Sequence, residues 1–146
     1  MRINPSGEIR YRLRLSERHL ADAEEAYRRR DYRGAVFSSQ LTVENSAKAV
    51  IAFFRVPSWS HDPSHELGEL LDQIPEEVRG LAEELSDLSS TLAPEHGRAT
   101  YGEPERSLTP WEIYGEEEAR KALDYARRAL ENALAILRGL GVNQMR

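Results

Sequence analysis

Two charges in an otherwise uncharged stretch are the first candidates for chemistry. Residues 34–54 read GAVFSSQLTVENSAKAVIAFF, and only Glu44 and Lys48 in them are charged, in a chain that is 31% charged. They stand four apart with Glu first, the better order for a helical ion pair. Burying a charge costs several kcal/mol per ion even when it is paired. Such a couple is either a structural pair at the edge of a core or the lining of a cleft that meets a ligand or a partner. Arg98 and Tyr101 form the best anion-binding candidate, because guanidinium matches phosphate bidentately and an aromatic face can stack a base. The competing reading is an Arg paired with Glu44 or another acid to pin its loop. His65 falls in the first turn of a short predicted helix, where positive charge is disfavoured. A neutral imidazole there serves a cleft or caps loop backbone.

Other chemistries find little support. His61 and His65 with Asp62 and Glu66 imitate a metal-ligand set, but Pro63 interrupts the helical spacing, so no metal site is expected. There is no cysteine, hence no disulfide or thiolate site. Ser-His-Asp patterns, Gly-rich phosphate loops and paired carboxylates are missing, and no cofactor is expected. Trp59 and Trp111 are expected as core plugs beneath loops.

The elements that must position these residues are helical. Asn4–Pro5 marks a helix start, and Ile9, Leu13, Ser16, Leu20, Ala23 and Tyr27 form its seam to about Arg29. Asp31 caps a second helix over residues 34–54, with Gly34 allowing close packing in its first turn, so the two form an antiparallel hairpin. This second helix is apolar or small on every side, as expected of the centre of a bundle. Pro57 ends it. Asp62–Pro63 opens the short helix SHELGELLDQ, and Pro75 opens another with Val78, Leu81, Leu85, Leu88 and Leu92 in register. Between Ala93 and Gly115 the period disappears among Pro94, Pro104, Pro110 and three glycines, and a long irregular loop is expected, docked on the bundle by its aromatics. The last helix runs to about Arg138 on Ala119, Leu123, Ala126, Leu130, Ala133 and Leu137, with Gly139 and Gly141 as stop signals. The fold class is therefore all-α: an up-and-down four-helix bundle with one additional short helix and a long loop before the last helix, in one domain over residues 1–146.

At 146 residues the chain can bury a real core, and its net charge of −5 argues against a general nucleic-acid binder. The charge is uneven. Residues 1–33 carry nine Arg against six acids, and residues 62–118 carry three Arg against sixteen acids. That asymmetry either favours pairing between copies or is only a solvated surface. No apolar run is long enough for a membrane span and MRINPSGEIR lacks a hydrophobic signal region, so a cytoplasmic location is expected.

Taken in order, the hairpin into DYRGAVFSSQLTVENSAKAVIAFF, the SHELGELL block and the Arg98-Ala-Thr-Tyr101-Gly102 patch resemble a HEPN domain. Family members typically show Glu and Lys four apart on an alanine-rich second helix, here Glu44 and Lys48. A His-x-Leu-x-x-Leu-Leu block follows, here His65 with Leu67, Leu70 and Leu71. Many then show an Arg-Tyr-Pro-like patch, of which Arg98 to Gly102 is a loose version. The resemblance implies a homodimer, often working with a small nucleotidyltransferase, and a site at Glu44, Lys48, His65, Arg98 and Tyr101 that takes a nucleotide or RNA. The expected function is a nucleotide- or nucleic-acid-associated binding module. Some members are metal-independent ribonucleases using Arg-x(4–6)-His late in the bundle, in which case His65 and Arg98 would be the catalytic candidates. The one pair with that spacing, Arg55 and His61, follows the second helix and lacks the usual tyrosine, and His96 has no Arg suitably upstream. The resemblance therefore leans away from an enzyme. A helical scaffold of tetratricopeptide type, hinted at by DYRGAV, lacks a recurring repeat.

Overall fold

Proline and aspartate set the first hairpin. In the computed structural model, which describes residues 5–143, α1 runs Pro5–Arg28 and α2 runs Tyr32–Ala52. The Asn4 cap lies outside the described residues. Arg30 takes a left-handed conformation (φ 63°), and Asp31 and Arg30 return their N–H groups to Ala26 and Tyr27. That pair of bonds is a Schellman ending, usually built on glycine, and it closes α1 within three residues of α2. Asp31 Oδ1 then accepts from Gly34 N at 2.9 Å and caps α2. The space Gly34 leaves is filled by that same carboxylate: a Cβ there would sit 2.3 Å from Asp31 Oδ2. Glycine serves the cap more than contact with another helix.

The small polar face of α2 turns toward α1. Ser16 Oγ lies 2.7 Å from Ser46 Oγ and donates to Thr42 O at 3.1 Å, while Thr42 Oγ1 donates to Ser16 O at 3.3 Å. Four residues earlier on α1, Arg12 donates to Asn45 Oδ1. As numbers rise on α1 they fall on α2, so the hairpin is antiparallel.

The remaining elements are α3 (Ser64–Glu69), a 3-10 turn over Leu71–Gln73, α4 (Glu76–Leu92), α5 (Pro94–Tyr101), a 3-10 turn over Pro104–Arg106, α6 (Pro110–Ile113) and α7 (Glu116–Gly139). Asp62 Oδ1 accepts from Ser64 N to begin α3. α7 runs antiparallel to α1, through Arg127–Glu24 and Tyr27–Glu116, and antiparallel to α4, through Asn132–Leu81 and Arg128–Glu84. α2 packs on α1, α7, α4 and α5, and every residue from Thr42 to Ala52 is buried. The protein is all-α, with α1, α2, α4 and α7 around a core of Leu13, Val43, Ile51, Leu85, Ile136 and Leu137.

Two expectations need correction. The segment 93–115 is largely helical, because Pro94, Pro104 and Pro110 each stand in the first turn of a short helical element, where a missing N–H costs nothing. Gly102 ends α5 at φ 73° and lies so close to the backbone of Leu108 that a Cβ would come within 2.2 Å of its carbonyl oxygen. Trp59 and Trp111 are not core plugs: they are 96% and 67% exposed. Trp111 instead lies against Arg33, whose guanidinium carbon is 5.3 Å from the ring centre. Among the described residues, no helix is long and apolar enough to cross a membrane.

Candidate functional site

Glu44 and Lys48 belong to a polar cluster that also holds Gln40, His61 of the linker before α3 and His96 of α5. Both are buried, and Lys48 Nζ lies 3.1 Å from Glu44 Oε2. The other oxygen, Oε1, accepts from Gln40 Nε2 at 3.1 Å and sits 3.0 Å from His61 Nδ1. Gln40 thus extends the pair by one turn, giving a polar line at positions 40, 44 and 48. From above, His96 of α5 places Nδ1 3.0 Å from Gln40 Oε1. The His61 and His96 rings stack with centroids 3.7 Å apart and 18° between planes. The His61 side chain is 54% exposed, so the cluster opens to solvent through the imidazoles.

The hydrogen bonds settle the tautomers. Gln40 Nε2 also faces the His61 carbonyl, at 3.4 Å, so both of its neighbours are acceptors and its amide can face only one way. Gln40 Oε1 must then accept, and His96 Nδ1 carries the proton. Glu44 is an acceptor too, so His61 Nδ1 donates. Each imidazole therefore has Nε2 left for other partners.

Electrostatics keep the two ends of this chain of contacts distinct. Burial alone would raise the Glu44 carboxyl, but the Gln40 hydrogen bond, the Lys48 ammonium and His61 together hold it below its ordinary 4.5. Burial lowers His96 below 6.5, and neighbouring His61 lowers it further, against the pull of Glu44. At neutral pH His96 is uncharged, with a lone pair on Nε2. His19 on α1 is also lowered by burial, against Asp22 and Glu44.

The stack continues sideways. Phe37 lies 5.8 Å from His96, and the Arg33 guanidinium covers Phe37 at 4.8 Å and Trp111 beyond it. Arg33 Nε also donates to Ala99 O at 2.7 Å, tying α5 to α2. A planar row thus runs from Trp111 through Arg33, Phe37 and His96 to His61.

The structure gathers only part of the sequence-derived set. Glu44 and Lys48 meet as expected. Arg98 is engaged elsewhere: it binds Glu95 at 2.7 Å and Glu103 at 2.7 Å, and those carboxylates stabilise its charge further. Glu95 also accepts from the Tyr114 hydroxyl at 2.6 Å. A cavity of about 180 Å³ opens beside this second network, lined by Val36, Leu92, Arg98, Tyr114, Lys121 and Tyr125. Tyr101 is 74% exposed at the end of α5. His65 is 90% exposed on α3 and lies 3.8 Å from Glu69, far from a capping role. The expected partnership of His65 and Arg98 with the pair is thus replaced by His61 and His96. Sequence reasoning weighed His61 and His96 and set both aside, and it gave Gln40 no role. The available signal was the four-residue spacing of Gln40, Glu44 and Lys48.

The molecule is thus a small helical bundle built on a capped hairpin, with a buried charged couple on its second helix. The HEPN domain model matches residues 9–136, and the chain belongs to the HEPN family. Among solved structures it is similar to TT1696 from Thermus thermophilus, with a TM-score of 0.68 and 23% identity, covering 88% of this chain and 98% of that one. At that identity the likeness speaks for the fold. Comparison with curated proteins gave no match.

Proposed function

We propose that this chain is a homodimeric HEPN module that takes a nucleotide or an RNA end at the Glu44 cluster and works beside a small nucleotidyltransferase. The observation that carries the reading is a buried ion pair joined through Glu44 to a half-exposed His61 that stacks on His96. The polar cluster of Gln40, Glu44 and His61 would offer hydrogen bonds to a base or sugar, and the exposed His61 ring offers a stacking surface. Tyr101 and Arg98 lie on the same helix as His96 and would meet a longer ligand. For Arg98 to meet a phosphate it must leave Glu95 and Glu103. The test is NMR of the histidine ring protons during titration with mononucleotides and short RNA. The expected result is movement of His61 and His96 resonances with His65 unchanged, and weaker binding by His61→Ala. Still resonances at millimolar nucleotide would remove the reading. Light scattering checks the dimer, at twice the 16.7 kDa chain mass, and co-purification with a co-expressed nucleotidyltransferase checks the partner.

One observation favours a second reading, a metal-independent ribonuclease. Two imidazoles in contact, one kept neutral and one held on a carboxylate, suit a base and an acid. His96 Nε2 would take the 2′-hydroxyl proton, and His61, with a second proton taken up on Nε2 from solvent, would give that proton to the departing 5′-oxygen. RNA left intact by the dimer after long incubation with a chelator rules this out.

A further inference from the structure

The Glu44 cluster holds three donors of the kind that bind zinc-class cations. A carboxylate oxygen of Glu44 and ring nitrogens of His61 and His96 all lie within 4.8 Å of one another. They come from α2, the linker before α3, and α5, so no helical repeat in the sequence announces them. We propose that Glu44, His61 and His96 form a divalent-cation site for Zn²⁺ or an ion of similar size and softness, with Gln40 and Lys48 as positioning residues. The site needs no nucleotide, so it stands or falls apart from the reading above.

Imidazole and carboxylate together are the donors that Zn²⁺ accepts, and three of them leave a fourth position for water. Glu44 Oε1 and His61 Nδ1 are 3.0 Å apart. With bonds of about 2.0–2.1 Å, tetrahedral geometry places neighbouring donors about 3.3 Å apart. A cation can therefore take the place of the Nδ1 proton with little movement, releasing that proton to solvent. Gln40 Oε1 holds the His96 Nδ1 proton and so leaves the lone pair on Nε2, the orienting contact that metal-bound histidines commonly have. Lys48 occupies Oε2, and Oε1, which accepts from Gln40 on one lone pair, offers the ion the lone pair now facing His61.

Two features weaken the site without closing it. The imidazoles are nearly parallel and must fan apart for their nitrogens to converge. His61 is on an exposed linker and can swing. The Lys48 ammonium opposes a second cation, so the expected affinity is micromolar rather than nanomolar.

The experiment is calorimetric titration of untagged, metal-stripped protein with ZnCl2, repeated with CoCl2 and read by visible absorption. One ion per chain is expected, with a heat that varies with buffer because a proton is released. His61→Ala and His96→Ala should each weaken binding at least about tenfold, and His65→Ala should leave it unchanged. Cobalt should give the intense absorption of a tetrahedral centre. In case His96→Ala loosens α5, the zinc-induced shift of the His61 and His96 ring protons in the unaltered protein gives an independent readout. No heat at about 1 mM Zn²⁺, or equal binding by the His61→Ala/His96→Ala variant, overturns the proposal.

Discussion

Glu44 and Glu103 are both carboxylates held in the charged form by a cation and further donors, yet their surroundings differ. Glu44 is buried with Lys48, under Gln40 and His61. Glu103 lies near the surface between Arg98 and Arg106, with Arg98 41% exposed. Water screens the second network and cannot reach most of the first. Similar geometry should therefore carry unequal weight: α5 is held by a screened surface network through Glu95 and Arg98 and by a desolvated buried one through His96.

The comparison is tested most severely at Lys48. Lys48→Met leaves Glu44 buried without its counter-charge and should lower stability by about 3–5 kcal/mol in urea denaturation. Adding Glu44→Gln should restore most of that loss, because the amide still accepts from His61. A loss under about 1 kcal/mol would place Lys48 with the surface pairs. Arg98→Ala should cost only about 1 kcal/mol, falling further in high salt, with the His61 and His96 ring protons unmoved. The smallest effect is on pH. The folded values of His96 and Glu44 are both lowered, so each contributes stability that is complete above its unfolded value and lost on acidification. Stability should begin to fall below 6.5 through His96, joined by His19, and fall again below 4.5 through Glu44. Denaturation midpoints across pH check this, and a decline that high salt abolishes would assign it to the exposed carboxylates instead.

Much of the fold could be read in advance because it depends on local signals. Asp31 caps, Pro5 and Pro75 start helices, and the seam of α7 is buried as its spacing requires. The Glu44–Lys48 pair was legible for the same reason, since four residues along one helix suffice to define it. His61 and His96 were not, because they reach Gln40 and Glu44 across 17 to 56 residues and no periodic rule connects them. The segment 93–115 misled because proline breaks a helix only in its interior. At the first turn it begins one, and three did so here. The tryptophans misled because a large apolar ring is not always covered, and Trp111 found a guanidinium instead of a core.

The interlocked hydroxyls of Ser16, Thr42 and Ser46 have a consequence beyond joining two helices. Successive residues of a helix are turned by about 100°. If α2 slid by a single residue against α1, Glu44 would swing away from the imidazoles toward a neighbouring rod. The three hydroxyls act as a detent, indexing the rotation of the inner helix so that one azimuth alone faces the opening.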